Sequence, residues 1–170
     1  MGQVEHRGHA GEVRLARDRV MAVAPATRPV AAMAIGVAIA VLGAMIWLGF
    51  AAPAGVHPMF YFVLILLGGG GLSLLFSGVF AVMAGARVPT TPALDLQFFA
   101  GIRRGVLAMT LCAIVVDGLG VLLMLAIAGG RGTGVPVDSA VSTVAFAAAV
   151  VTVVCAVIAS VVLRRVLPTG

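Results

Sequence analysis

The sequence predicts an all-α integral membrane protein: a four-transmembrane-helix bundle with both termini in the cytoplasm. Three observations predict it. Apolar residues make up 62% of the 170-residue chain, charged residues make up only 10%, and the apolar residues gather in four long runs. Soluble domains carry about 25% charged residues. A soluble domain of this size cannot hide so much apolar surface, so the composition excludes an ordinary soluble enzyme, a disordered chain and a disulfide scaffold.

The predicted transmembrane domain, residues 30–163, contains four apolar runs at about 30–52, 59–84, 105–128 and 139–163. Each run has 23 to 26 residues, and about 20 are needed to cross a hydrocarbon core of roughly 30 Å. Because lipid offers no partners to backbone N–H and C=O groups, runs of this length must be helical. Asp117 is the only charged residue inside any of the four runs.

Polar segments flank the runs: an Arg-rich tail over 1–29, a loop over 85–104 and a short tail over 164–170. Ten of the eleven basic residues fall in these segments, and only Arg131 falls on the other side. Since basic flanks stay in the cytoplasm, both termini are predicted to be cytoplasmic. All the basic residues are Arg, which together with abundant Ala, Gly and Val indicates a bacterial plasma (inner) membrane. Within the first tail, residues 12–21 form a short surface helix or are disordered.

The loop over 85–104 contains a predicted amphipathic helix. Thr91 and Pro92 have the residue types of an N-cap followed by proline at the first helical position. Leu94, Phe98 and Ile102 then recur at intervals of four. The segment either lies on the inner membrane surface and runs on into the third span, or packs over the end of the bundle.

The ends of the spans carry candidate membrane-interface anchors. Arg103 and Arg104 precede the third span, and Arg164 and Arg165 follow the fourth. Trp47 lies near the outer end of the first span, where aromatic residues gather in membrane proteins. These residues are expected to set the depth of their helices in the bilayer.

Small residues predict where the helices pack, because helices in lipid associate through close backbone approach. The candidates spaced four apart are Ala32, Gly36, Ala40 and Ala44 on the first run, and Ala145 and Ala149 on the fourth. The second run contains four consecutive glycines, Gly68, Gly69, Gly70 and Gly71. Each glycine lowers helix propensity by about 1 kcal/mol relative to alanine. The run therefore marks either a kink or broken helix, or a flat surface for close packing, which we favour.

Asp117 is the centre of the one candidate polar site. It lies about 18 Å from the predicted cytoplasmic end of its helix, and Ser73 and Thr152 lie at nearly the same depth. No basic residue inside a span can neutralise it, so the carboxyl group is expected to take up a proton. Three roles stay open. Asp117 is a proton or cation site, a protonated hydrogen-bond donor to Ser73, Thr152 or a carbonyl, or a partner for a cation from another subunit.

The sequence predicts no catalytic, cofactor-binding or metal site. It contains no P-loop, nucleophile elbow, metal-ligand cluster or pair of carboxylates. Cys112 and Cys155 lie in apolar runs, 43 residues apart and without a CxxC motif. The Arg residues are dispersed around the spans, which favours the lipid bilayer over nucleic acid as the partner of this charge.

The predicted function is that of a small non-catalytic multi-pass membrane protein, an accessory or assembly subunit of a larger membrane complex. Its expected partners are the bilayer and other membrane-protein subunits or a second copy of itself. The alternative is an autonomous oligomeric transporter or channel for small molecules or ions, with Asp117 as its intramembrane proton or ion site. A third class is a membrane enzyme that borrows catalytic groups from a partner.

Overall fold

The described part of the chain is entirely helical. The computed structural model describes the backbone of residues 2–52, 56, 58–88, 92–128 and 139–167. Within these ranges it describes the side chains of residues 18, 23–52, 56, 58–88, 94–127 and 140–167. The four helices are α1 (Gly2–Ala51), α2 (Pro58–Gly85), α3 (Pro92–Ala128) and α4 (Ser139–Val166).

Successive helices run antiparallel and form a four-helix bundle. Helix α2 packs against all three others, whereas α1 and α3 barely touch. Each helix contains a stretch that is long and apolar enough to cross a membrane: Val23–Ala51, Pro58–Gly85, Leu94–Ile127 and Ala140–Val166. The four long apolar helices that the sequence predicts are therefore present, and they suggest a multi-pass membrane protein.

The two ends of the bundle differ in charge. The basic end, where α2 leads into α3 and where α4 ends, carries Arg87, Arg103, Arg104, Arg164 and Arg165. The opposite end, where α1 and α3 end, carries no charged side chain among the described residues. Arg131 and the predicted N-cap Thr91 lie outside the described residues.

Helices α1 and α3 extend beyond the apolar runs toward the basic end. Helix α1 begins at Gly2 and passes through Pro25 and Pro29, so the backbone of the predicted tail is helical. Helix α3 begins at Pro92, the residue that the sequence assigns to the first helical position. Only the short connection between Gly85 and Pro92 separates α2 from α3.

The amphipathic segment of residues 92–104 packs over the basic end of the bundle as the first turns of α3. Phe99 and Ile102 are buried in one apolar cluster with residues of α1, α2 and α4. Phe98 is half-buried against this cluster, whereas Leu94 is exposed. The buried face is thus centred on Phe99, the residue after Phe98 of the predicted series Leu94, Phe98 and Ile102. The series leaves the buried face at Leu94 because burial follows the 3.6-residue period of the helix, whereas the series advances by four residues.

An ion pair joins the end of α2 to the first turn of α3. The guanidinium of Arg87 approaches Asp95 Oδ1 at 3.0 Å, and Arg87 Nε donates a hydrogen bond to the same oxygen at 3.1 Å. The guanidinium also lies over the ring of Phe98, 4.6 Å from its centroid. Asp95 is buried and Arg87 is half-buried. These contacts hold Arg87, two residues after the end of α2, against the first turns of α3.

The packing face of α1 is not the predicted small-residue stripe. Its buried residues alternate in steps of three and four, as in a coiled coil: Ala31, Ala34, Ala38, Val41, Met45 and Leu48. Ala32, Gly36 and Ala40 are exposed, and Ala44 is half-buried. Four residues turn an α-helix through about 400°, so a series in steps of four rotates by about 40° per step and leaves the interface. Whether the stripe packs against another chain stays a prediction.

The predicted small residues of α4 do lie in the interior. Ala145 and Ala149 are buried in an apolar cluster with α1, α2 and α3 residues. Closer to the basic end, Ala156 is fully buried in a second cluster. Alanine side chains on these faces let the helix backbones approach closely, which is how helices pack in lipid.

Gly78 lets α2 approach the backbone of α1, and we expect a side chain there to separate the two helices. A Cβ at residue 78 would lie 2.6 Å from Ile35 Cγ1 and 3.3 Å from Ile35 N. The substitution Gly78→Leu is expected to lower the free energy of unfolding by about 1–3 kcal/mol, the cost of overpacking. The measurement is unfolding in mixed detergent micelles, followed by circular dichroism.

The matched control for this prediction is Gly118→Leu on α3. A Cβ at residue 118 meets no atom within 4 Å, so the same change in helix propensity occurs there without a clash. Equal losses for Gly78→Leu and Gly118→Leu would contradict the role of Gly78.

The Arg87–Asp95 ion pair predicts a second stability effect. Asp95→Ala removes the ion pair and the hydrogen bond. It is expected to lower the free energy of unfolding by about 1–2 kcal/mol, because the carboxylate is buried and its hydrogen bond to Arg87 joins two charged groups. The same unfolding measurement tests this. Asp18→Ala, which alters an exposed acid on α1, is the control. Indistinguishable stabilities of the two variants would show that the ion pair contributes nothing.

Candidate functional site

Asp117 lies in the interior of the bundle. It is on the face of α3 that packs against α2, and its relative exposure is 1%. Val106, Thr110, Ala113 and Met124, at helical spacing on the same face, are also buried. The position of Asp117 follows from this periodicity, because a residue in register with buried apolar neighbours on one helix face is carried inside with them.

The Asp117 side chain lies directly against the backbone of Gly70 on α2. A Cβ at residue 70 would overlap the Oδ1, Cγ and Oδ2 atoms of Asp117. Glycine is therefore the only residue that leaves room for this carboxyl group between α2 and α3. The contact assigns a specific purpose to one member of the glycine run.

The other glycines of the run also face neighbouring helices. A Cβ at Gly69 would lie 3.2 Å from Val116 Cγ1, and one at Gly71 would lie 3.1 Å from Val41 Cγ1. Gly68 has more space, with its nearest such atom at 3.9 Å. Helix α2 continues unbroken through the run from Pro58 to Gly85. The run thus forms a flat surface between α1 and α3, the arrangement that the sequence analysis favours.

Neither carboxyl oxygen of Asp117 has a hydrogen-bond partner among the described residues. Ser73 Oγ donates to the carbonyl of Gly69 at 2.9 Å, and Thr152 Oγ1 donates to the carbonyl of Ala148 at 2.9 Å. The expected hydrogen bond from Asp117 to either hydroxyl group is therefore not formed. Both hydroxyl groups turn back along their own helices, because a carbonyl four residues earlier is always within reach of Ser or Thr.

Ser73 and Thr152 lie about one turn from Asp117, not beside it. Gly70 is opposite Asp117, so Ser73 is three residues further along α2. The height of α4 follows from a contact with α3: Thr110 Oγ1 on α3 lies 3.4 Å from the carbonyl oxygen of Ala156 on α4. Counting seven residues from this contact along both antiparallel helices brings Asp117 level with Ala149, three residues before Thr152. Both hydroxyl residues are buried, and both lie toward the basic end.

The sequence analysis missed two residues of this region and the specific contact of a third. Gly70 was singled out only as one of four glycines, and Thr110 and Ser77 were not considered. Thr110 donates to Val106 O at 2.8 Å, and Ser77 Oγ donates to Ser73 O at 3.1 Å. A signal was present for Thr110, since it is seven residues before Asp117 and so lies on the same helix face.

The candidate interface anchors lie toward the two ends of the bundle. Trp47, near the opposite end, is 63% exposed. Arg104, Arg164 and Arg165, at the basic end, are exposed, and Arg103 is half-buried.

The described residues contain no group of three or more His, Cys, Asp and Glu that would hold a metal ion. One cavity of about 220 Å³ lies between α3 and α4, and its walls include Leu67, Val121 and Thr143. It is farther from the basic end of the bundle than Asp117 is. A shallower cleft of about 430 Å³ lies between α1 and α2. Neither includes Asp117 in its lining.

The chemistry of the site is that of an isolated carboxylic acid. An ionised carboxylate without a counter-charge is very costly in an apolar interior. A protonated carboxyl group carries no charge and offers one O–H donor. The group at Asp117 is therefore suited to take up and release a proton, and it has no neighbouring nucleophile or second acid for catalysis among the described residues.

The contact between Asp117 and Gly70 predicts a strong coupling between the two positions. Gly70→Ala alone is expected to lower the free energy of unfolding by about 1–3 kcal/mol, because its Cβ displaces the carboxyl group. In an Asp117→Ala background the same change is expected to cost nothing, since the overlapping atoms are gone. A double-mutant cycle on unfolding in mixed micelles measures the interaction.

Gly68→Ala is the control for this cycle, because it changes helix propensity in the same run without a close contact. An equal cost of Gly70→Ala in both backgrounds would contradict the coupling.

Comparison with protein-family models, with curated proteins and with solved structures finds no match for this chain. What the protein does is therefore inferred from its residues and their surroundings.

Proposed function

We propose that this chain is a non-catalytic accessory or assembly subunit of a larger membrane complex. It lies in the bacterial plasma membrane with its basic end and both termini in the cytoplasm. The orientation is supported by the ten Arg residues on one side of the predicted spans against one on the other. The partners of the subunit are other membrane-protein chains or a second copy of itself.

The observation that carries this proposal is a flat strip on the outer face of α1. Gly36, Ala40 and Gly43 are exposed, and a Cβ at either glycine would meet no atom within 4 Å. Trp47 continues the strip, whose members are three or four residues apart. The buried residues on the inner face of α1 have the same spacing. A second helix face with this spacing and small side chains lets the backbone of a partner helix approach closely.

Bulky substitutions on this strip test the subunit proposal. Gly36→Leu and Ala40→Leu are expected to abolish co-purification of the partner, because leucine side chains hold a partner helix away. The measurement is a tagged pull-down from native membranes in mild detergent, followed by native mass determination. The stability of the isolated chain is expected to stay unchanged, since the positions face outward.

Gly118→Leu on the exposed face of α3 is the matched control for the pull-down. A wild-type complex from both strip variants would contradict the use of the strip. A lone chain from wild-type membranes would contradict the subunit proposal itself.

The second candidate function is an oligomeric transporter or channel in which Asp117 is the intramembrane proton or ion site. The specific observation in its favour is the buried carboxyl group without a hydrogen-bond partner. Purely structural polar groups in lipid are normally paired with another polar group, and this one is not.

Asp117→Asn tests the transport candidate, because it keeps the shape of the side chain and removes its acid. Proteoliposomes with a pH-sensitive dye in the lumen are expected to show proton flux for the wild type and none for Asp117→Asn, while the native mass of the assembly stays the same. Equal flux for the two proteins would contradict this candidate.

A further inference from the structure

Two arginine residues lie along the line where α3 meets α4. Val121 of α3 and Phe146 of α4 both line the cavity of about 220 Å³ between these helices. Arg103 is eighteen residues before Val121, and Arg164 is eighteen residues after Phe146. Because eighteen residues make five complete turns of an α-helix, each arginine lies on the same helix face as the cavity-lining residue of its own helix. We call Arg103 and Arg164 the junction pair.

The two members of the junction pair also lie at nearly the same height. Thr110 Oγ1 is 3.4 Å from the carbonyl oxygen of Ala156, and this contact fixes the height of α4 relative to α3. Arg103 is seven residues from Thr110 toward the basic end, and Arg164 is eight residues from Ala156 in the same direction. At about 1.5 Å per residue, these separations are about 10.5 and 12 Å. The two arginine side chains therefore leave neighbouring helices side by side.

No acid among the described residues neutralises the junction pair. Neither guanidinium group forms an ion pair or a hydrogen bond with another described residue. Of the three acids with described side chains, Asp95 is paired with Arg87, Asp117 is buried at mid-depth and Asp18 is exposed on α1. Two adjacent positive charges without a counter-charge attract an anion, because each raises the electrostatic potential at the other.

Exposed apolar side chains continue the α3–α4 junction toward the middle of the bundle. Leu107 is four residues after Arg103, and Val157 is seven residues before Arg164, so both lie on the faces that carry the junction pair. Ile114 extends the α3 side by another two turns. All three side chains are exposed. A basic site above an exposed apolar strip matches a ligand with an anionic head and a hydrocarbon tail.

A phosphodiester is the head group that fits the junction pair. The planar guanidinium group of arginine presents two parallel N–H donors, which match two oxygens of one phosphate. Basic sites between helices at the cytoplasmic side of membrane proteins bind anionic lipid head groups in this way. A zwitterionic head group would add an ammonium group, and the junction offers it no acid among the described residues. Free phosphate would use the arginines but not the apolar strip.

We propose that the junction pair binds the phosphate group of an anionic phospholipid, whose acyl chains lie along Leu107, Ile114 and Val157. The lipid belongs to the leaflet at the basic end of the bundle. This inference goes beyond both candidate functions and depends on neither, since it requires only that the helices lie in a membrane.

A bound lipid differs from the general attraction of basic residues to an anionic membrane surface. Arg104 and Arg165 directly follow the junction pair in sequence, and both are exposed. One residue turns an α-helix through about 100°, which takes these two side chains away from the junction. General attraction acts alike on all four arginines, whereas a lipid held at the junction depends on two of them.

Titration of the purified chain with phospholipid tests the proposal. Native mass spectrometry from neutral detergent micelles measures binding of phosphatidylglycerol, and phosphatidylcholine is the zwitterionic control. We expect phosphatidylglycerol to bind about tenfold more tightly than phosphatidylcholine. Arg103→Gln and Arg164→Gln are each expected to weaken phosphatidylglycerol binding by about tenfold, because each removes a charge-assisted hydrogen-bond donor. Equal binding of the two lipids to the wild type would overturn the preference for an anionic head group.

Arg104→Gln and Arg165→Gln are the matched controls, because each removes the same charge from the next residue of the same helix. Their binding of phosphatidylglycerol is expected to change by less than about twofold at physiological salt, where attraction between exposed charges is screened. Equal losses in all four variants would overturn the junction site in favour of general attraction. Unchanged binding in both junction variants would overturn it as well.

Stabilisation of the fold by the lipid gives an independent measurement. Phosphatidylglycerol is expected to raise the unfolding temperature of the wild type, because a ligand that binds the folded state stabilises it. Arg103→Lys keeps the charge and removes the paired donors, so it tests the contact even if the glutamine variants do not fold. We expect a smaller rise in this variant, and an undiminished rise would contradict the paired contact. A rise with sodium phosphate equal to that with phosphatidylglycerol would overturn the lipid as the occupant.

Discussion

The close approach of α2 to α3 at Gly70 is the constraint on which the interior depends. A carboxyl group occupies the space that any Cβ at residue 70 would fill. The helices can therefore bury an acid at mid-depth without separating. The adjacent glycines extend the same flat surface toward Val41 on α1 and Val116 on α3. One short stretch of α2 thus places three helices in contact and brings Asp117, the only acid within the four apolar runs of the sequence, into their interior.

The same principle of small side chains applies along the whole bundle. Ala34 and Ala38 on α1, Gly78 on α2 and Ala156 on α4 are all buried where the helices approach. In lipid, burying a large apolar side chain between helices gains little, because lipid tails are as apolar as leucine. Close backbone contact through small residues supplies the attraction instead. Larger side chains such as Phe60 and Phe99 gather toward the two ends.

The buried hydroxyl groups of the described residues lie in one half of the interior. The half toward the basic end contains these hydroxyl groups, and each half also contains an apolar cluster, one around Phe99 and Leu163 and the other around Leu67 and Met124. Asp117 lies at the boundary between them.

Composition and periodicity by themselves determined the four apolar helices, because a long run without charge must be helical in lipid. The same reasoning located Asp117 as the unusual residue and the glycine run as a surface of close approach. Depths counted from the predicted ends of the runs put Ser73 and Thr152 at nearly the level of Asp117, whereas the structure puts Gly70 opposite the acid and Ser73 three residues away.

Only the tertiary structure decided which faces of the helices meet. The stripe of Ala32, Gly36 and Ala40 was conspicuous in the sequence, yet the neighbouring face of α1 packs inward. Small residues occur on both faces, and their spacing alone does not say which face meets a helix of the same chain. The pairing of Gly70 with Asp117, and the lack of a hydrogen bond to that acid, depend on the relative rotation and height of two helices. Those quantities arise from the packing of all four helices together, which no single run of residues contains.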